Sequence, residues 1–191
     1  MKETIVHRDA FITTQWAGGE TTQLAIHPEN ALFSERDFLW RISSATFTTT
    51  QSVFSDFSGY QRYLLPLRGN LRLSHERLFA RELAAYEPAY FDGAWPTASE
   101  NSPDCIDYNF IVKNGTTALL QVLQEGDEHL VDVPAMITCF SVDDMVIHLK
   151  KAGVQREISG FSLYMLETEA GESVSVARAS APVILTKCAA G

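Results

Sequence analysis

Short apolar or alternating runs, each closed by a turn signal, recur along almost the whole chain. The segments that read as strands are 22–27, 38–49, 53–57, 62–67, 70–75 and 89–92 in the first half. In the second half they are 107–112, 118–124, 129–133, 136–141, 145–149, 161–166, 174–178 and 182–187. Thr, Val, Phe, Tyr and Trp are frequent in these runs, and several alternate with a period of two, as a half-buried strand requires. Turns are expected at Asp56-Phe57-Ser58-Gly59, Arg68-Gly69-Asn70, Lys113-Asn114-Gly115 and Glu125-Gly126-Asp127. Sustained helical periodicity is scarce: residues 7–15 and the turn at Asp143-Asp144 hold a short helix at most. So many short strands predict an all-β sandwich or barrel, and periodicity alone does not choose between them.

The stretch WPTASENSPD, residues 95–104, is the most polar and Pro-rich, and is expected to separate two similar-sized β halves. These would be an N-terminal barrel over 16–95 and a C-terminal barrel over 105–187, with exchanged strands blurring the boundary. The tail after Lys187 is expected to fray.

Composition narrows the function classes. The 191 residues are 46% hydrophobic and 20% charged, enough for a sizeable core. The net charge of −9, with no Lys/Arg run, disfavours nucleic acid and anionic membrane surfaces as partners. Cys105, Cys139 and Cys188 are far apart and form no C-x-x-C pair, so neither a zinc site nor a disulfide framework is signalled. The first residues lack the apolar core of a signal peptide and no stretch reaches membrane-spanning length, so a reduced cytoplasm is the expected compartment. Nothing in the sequence excludes a homodimer.

Candidate chemistry concentrates between Trp16 and Gly69. In DFLWRISSATF, alternation puts Arg41, Ser43 and Ala45 on one face and Phe38, Trp40 and Ile42 on the other. Arg41 either faces solvent or points into a barrel lumen, where a guanidinium is costly unless an anion or acceptor meets it. Arg62 enters the apolar run YLLPL, and Thr21, Thr22, Ser43 and Ser55 supply hydroxyls in the same blocks. Each hydroxyl alone is more simply a turn or strand-edge residue. As a cluster, two arginines with hydroxyls suit a carboxylate, which guanidinium grips bidentately. Trp40 or Phe57 would shape such a pocket. In DYNFIV, Asp107 and Asn109 share a face, and Asp107 could pair with an arginine or serve as a general base.

Other chemistries find little support. Gly18-Gly19 lacks phosphate-loop spacing and reads as a tight turn. The five histidines include no H-x-H pair and none lies three or four residues from another, so no metal is expected. There is no G-x-S-x-G elbow, and Cys139 within MITCF reads as a small buried hydrophobe.

These blocks resemble the HutD/Ves family. The resemblance rests on Trp16 followed by Gly-Gly and Thr-Thr, DFLWRIS, FSDFSGYQR, the apolar strand closing at Gly69, and the D-x-N of Asp107 to Asn109. It implies a double-cupin fold, two β-barrels in one chain. It also implies a link to histidine-utilisation loci, with a regulatory role, or to a stress- and cold-induced protein. The ligand it implies is a small carboxylate such as formate, formylglutamate or urocanate, with Arg41, Arg62 and Asn109 in the matching positions. The chain departs from the family where Ala17 replaces the Lys-Asn or Arg-Asn after the tryptophan, and where Gln23-Leu24 replaces Arg-Glu.

Three functions follow in order. The first is a metal-independent, cofactor-free protein that binds a small carboxylate or other polar metabolite in a regulatory or sensing role, through Thr22, Trp40, Arg41, Ser43, Ser55, Phe57, Arg62 and Asn109. The second is a metal-free isomerase or lyase on a small acid with Asp107 as base. The third is an interaction protein with a vestigial pocket.

Overall fold

The computed structural model describes residues 1–189. Strand β1 (Lys2–Val6) and a 3-10 turn (Arg8–Ala10) come first, followed by β2 (Ile12–Trp16), β3 (Gly19–His27), β4 (Trp40–Phe47) and β5 (Gln51–Val53). Then come β6 (Tyr60–Arg68), β7 (Leu71–His75), β8 (Phe79–Leu83), β9 (Ala89–Asp92), β10 (Thr97–Asn101) and β11 (Ile106–Lys113). The remainder holds β12 (Ala118–Leu123), β13 (Glu128–Leu130), β14 (Ala135–Ser141), β15 (Met145–Leu149), β16 (Val154–Ile158), β17 (Ser162–Thr168), β18 (Ser173–Ala179) and β19 (Val183–Ala189). The described chain is almost entirely strand and turn. No helix among the described residues is long and apolar enough to cross a membrane.

The chain divides into two compact units, Phe11–Gly115 and a second made of Met1–Ala10 with the chain from Thr116 onward. The division falls at the Asn114-Gly115 turn, not in the 95–104 stretch. That stretch contains β10, whose Thr97, Ser99 and Asn101 are buried while Ala98 and Glu100 are exposed. The period of two is present there, but it is written in polar residues. β11, expected to open the C-terminal half, lies between β4 and β6 in the first unit.

In the unit Phe11–Gly115, one sheet runs β2-β3-β4-β11-β6-β9 and the other β5-β10-β7-β8, with all neighbours antiparallel. Leu64, Leu71, Leu73, Leu83, Phe91 and Cys105 form one apolar cluster, and Phe38, Phe57, Tyr60 and Ile111 lie in another. β2 and β3 form a hairpin turning at Ala17-Gly18 and closed by the Trp16 and Gly19 pair, so the Gly18-Gly19 dipeptide spans the end of the turn and the first residue of β3. A Cβ on Gly19 would lie 1.9 Å from the Thr46 carbonyl oxygen, which only glycine avoids. Residues 7–15, expected to be helical at most, hold the 3-10 turn and β2, and Asp143-Asp144 is a bend without helix.

The second unit pairs a sheet β1-β17-β14-β19-β12 with a sheet β13-β18-β15-β16. Its interior is filled by aliphatic side chains, among them Ile137, Leu166, Leu185, Val174, Ile147 and Leu149. Cys188 and Ala189 continue β19, opposite Met136 and Ala135, where a frayed tail is expected; the rest of that tail lies outside the described residues. β1 is held by Glu3, whose carboxylate accepts from Arg156 Nε at 2.6 Å and Nη2 at 2.9 Å and from Tyr164 Oη at 2.9 Å. Tyr164 is fully buried. Glu3→Ala therefore leaves a buried hydroxyl without its acceptor, and should cost about 1–3 kcal/mol. The measurement is a lower urea midpoint, with a smaller loss in Glu3→Gln, which keeps an acceptor.

Candidate functional site

Strand register builds the site. β4, β11 and β6 lie side by side, with Ile111 opposite Arg41 on one flank and Arg62 on the other. Residues paired across adjacent strands project from the same face, so both arginines rise from one side of the sheet, separated by a single strand. Two inter-strand spacings put their Cα atoms roughly 10 Å apart. The next row on this face holds Gln23, Ser43 and Asn109, and the row after it Thr21, Ala45 and Asp107. These rows face a cavity of about 380 Å³ lined also by Trp16, Phe33, Val53, Phe54 and Phe57.

Arg41 is 5% exposed. Its Nε donates to Gln23 Oε1 at 2.8 Å and its Nη1 to Ser43 Oγ at 3.1 Å. Phe33 covers the guanidinium face, 4.0 Å from ring centroid to Cζ. Arg62, also 5% exposed, sits among three rings, at 4.5 Å from Phe54, 5.4 Å from Phe91 and 5.5 Å from Phe57. Its Nε is buried without a hydrogen-bond partner. Among the described residues no carboxylate lies within ion-pair distance of either guanidinium. Burial lowers both arginines to about 10, which leaves them charged at neutral pH.

Asp107 is the third ionisable group of the cavity. It is 4% exposed, and its Oδ1 accepts the Ala45 N–H at 3.0 Å. Burial raises its carboxyl to about 7, with the Ala45 N–H and the Arg62 charge opposing the rise. Asn109 Oδ1 is buried with no partner. His75 lies behind this cluster; its Nδ1 is 2.9 Å from Thr97 Oγ1, and burial and the Arg62 charge both lower it.

Of the residues singled out from sequence, Arg41, Ser43, Ser55, Phe57, Arg62, Asp107 and Asn109 line this one cavity. Thr22 does not. It pairs with Ser44, on the opposite face from Ser43, and its hydroxyl is 2.9 Å from Thr13 Oγ1; Thr21 lines the cavity instead. Trp40 is also absent from the lining. Odd parity with Arg41 sends it to the other face, where it stacks on His27 at 5.4 Å. The partners Gln23, Phe33, Phe54 and Phe91 were not anticipated. Gln23 was accessible in principle, being two residues from Thr21 on the same face; the three rings come from loops or other strands and carry no local signal.

A divalent metal does not fit this lining. Two guanidiniums repel a cation, and among the described residues no three His, Cys, Asp or Glu side chains are grouped to hold one.

The HutD family model matches residues 8–184. The chain belongs to the HutD family. HutD from Pseudomonas fluorescens SBW25, in a formate condition, superposes with a TM-score of 0.78 at 21% identity, covering 98% of both chains. A conserved protein of unknown function from Pseudomonas aeruginosa PAO1 gives 0.81 at 22% identity, over 99% of this chain and 98% of that one. Oxalate decarboxylase from Bacillus subtilis, an enzyme with Mn(II) centres, gives 0.61 at 5% identity over 96% of this chain and 76% of that one. A search of curated protein sequences finds no match. The all-β, cupin-type fold of this HutD-family chain accords with these neighbours, while at such identities the likeness speaks to fold alone.

Asp107 makes stability depend on pH with a definite sign. A carboxyl that ionises near its ordinary value when unfolded and near 7 when folded holds more protons in the native state between those values, so stability falls as pH rises from about 4 to about 7. The loss is at most about 4 kcal/mol by the size of the shift. Denaturant titrations across that range should show stability falling more, or rising less, in the native sequence than in Asp107→Asn, since the lowered carboxyls such as Glu3 contribute with the opposite sign in both.

Proposed function

We propose that the unit Phe11–Gly115 binds a small carboxylate or similar polar anion, in a metal-independent regulatory or sensing role. The observation that carries this reading is the pair of buried guanidiniums facing one cavity with no protein carboxylate paired to them. A buried cation with no carboxylate within ion-pair distance is expensive, and an incoming carboxylate supplies that contact together with acceptors for the free donors. Asn109 and Ser43 stand beside the arginines to complete the polar end. The cavity volume lies at the lower end of the roughly 300–1,000 Å³ of ligand pockets. The formate condition of the Pseudomonas fluorescens HutD makes formate a natural first probe. Three free, buried cysteines suit a reduced, cytoplasmic setting.

A second reading, acid–base catalysis on the bound acid, is favoured by one observation. Asp107 is a cavity carboxyl whose proton is exchangeable near neutral pH. Turnover of a bound acid, lost in Asp107→Asn, would select it; saturable binding without turnover selects the sensor.

Thermal denaturation with formate and acetate tests the binding reading. A ligand of the native state at about a hundredfold over its Kd stabilises by roughly 2.7 kcal/mol, a visible shift. Arg62→Met should leave the ligand-free protein as stable or more stable, because an unpaired buried charge is removed, while abolishing the response to acids. A destabilised variant that still responds would make Arg62 structural. Because the neutral carboxyl of Asp107 can donate to an anion and the ionised form repels it, affinity should weaken as pH rises through about 7. A response that grows with pH would contradict the charge assignment.

A further inference from the structure

The cavity changes character from floor to mouth. Its buried end carries Arg41, Arg62 and Asp107, whereas its exposed end carries Trp16 at 39%, Phe33 at 44% and Val53 at 81% exposure. Scattered apolar residues at a surface need no explanation, but these converge on one opening above a charged floor. Three of the polar neighbours at that end are already engaged. Thr14 Oγ1 donates to the Thr21 carbonyl at 3.4 Å, Gln15 Nε2 to Glu20 Oε1 at 3.2 Å, and Ser52 Oγ is 2.8 Å from Ser99 Oγ. Beside the Ser55 and Thr21 hydroxyls, what remains to meet a ligand there is the aromatic and aliphatic surface of Trp16, Phe33, Phe54 and Val53.

Trp16 is held in place for this role. Its ring meets Phe47 edge-on at 6.2 Å and lies across the hairpin, so close to Gly18 that a Cβ there would stand 2.1 Å from a ring carbon. Phe33 and Phe54 each lay one face on an arginine of the floor, joining charged end to apolar end without a break. Volume points the same way. A carboxylate of three heavy atoms fills on the order of 90 Å³, taking about 30 Å³ for each water-sized group, whereas the cavity holds about 380 Å³.

We propose that the ligand is a monocarboxylic acid with an apolar body, its carboxylate on Arg41 and Arg62 and its hydrocarbon part against Phe33, Phe54, Trp16 and Val53. This rests on the anion-binding reading above and specifies the remainder of the molecule. A second carboxylate or a polyhydroxy chain would meet rings and no second cation at that rim, and would gain nothing from the apolar surface it covered, so it is selected against.

Calorimetric titration at one fixed pH with acetate, butyrate, hexanoate, benzoate and succinate tests the assignment. Affinity should rise along the aliphatic series by up to about fourfold per methylene, with benzoate well above acetate and butyrate above its four-carbon counterpart succinate. In Trp16→Ala and Val53→Ser the slope should flatten, hexanoate losing at least threefold more than acetate. Acetate binding with a flat series, or succinate binding more tightly than butyrate, overturns the apolar body while leaving the anion site standing. Slopes unaltered in both variants overturn the rim. Binding of none of the five acids overturns the anion site and this inference with it.

Discussion

Two guanidiniums buried side by side on the inner face of a sheet set the terms for everything around them. Burial of an unpaired cation is among the costliest choices a fold can make, and the surroundings of Arg41 and Arg62 are organised to tolerate it. Rings cover their faces, where the π-cloud attracts cations, and Gln23 and Ser43 accept from the edges of Arg41. Such coverage fixes the orientation of both groups and leaves the Nε of Arg62 without an acceptor. The arrangement holds only because β4, β11 and β6 are in register; a slip of one residue would send both arginines to the opposite face and bring Trp40 and Gln61 to the cavity.

The two units use related two-sheet architecture to different ends. In the second, the interior is a close-packed set of Leu, Ile and Val side chains, with β1 clamped by Glu3 between Arg156 and Tyr164. In the first, aliphatic packing such as the cluster around Leu64, Leu71 and Leu73 is accompanied by buried polar side chains, Arg41, Ser43, Arg62 and Asp107 among them. One unit thus has an aliphatic interior, while the other encloses a cavity with charged groups in its wall. Asp107 sharpens the contrast. A carboxyl raised to about 7 beside two charged arginines gives the cavity a net charge that changes near neutral pH.

Much of this was legible along the chain, wherever alternation and turn chemistry operate locally. Arg41, Ser43 and Ala45 share a face because strand side chains alternate, and Asp107 and Asn109 do so for the same reason. The turns at Gly59, Gly69, Gly115 and Gly126 all have positive φ, as glycine at a turn allows. β10 was hidden because its inward residues are Thr, Ser and Asn, so that a buried strand resembled a polar linker. Thr22 and Trp40 fell on the wrong side of the sheet. The parity already visible for Arg41 separates Trp40 from it, whereas Thr22 needs the register with Ser44.

The sequence by itself determined an all-β chain of many short strands, its main turns, the residue types of a polar pocket, and membership in a family of double-cupin proteins. Those properties depend on neighbours within a few residues or on blocks of fixed spacing. Only the tertiary structure decided that Arg41 and Arg62 flank one strand, that Phe33, Phe54 and Phe91 cover them, and that Asp107 is buried beside them. It also decided where the chain divides, placing β11 in the first unit and β1 in the second. Strand pairing joins residues tens of positions apart, and burial, which sets both the cost of the arginines and the proton affinity of Asp107, exists only once those pairings are made.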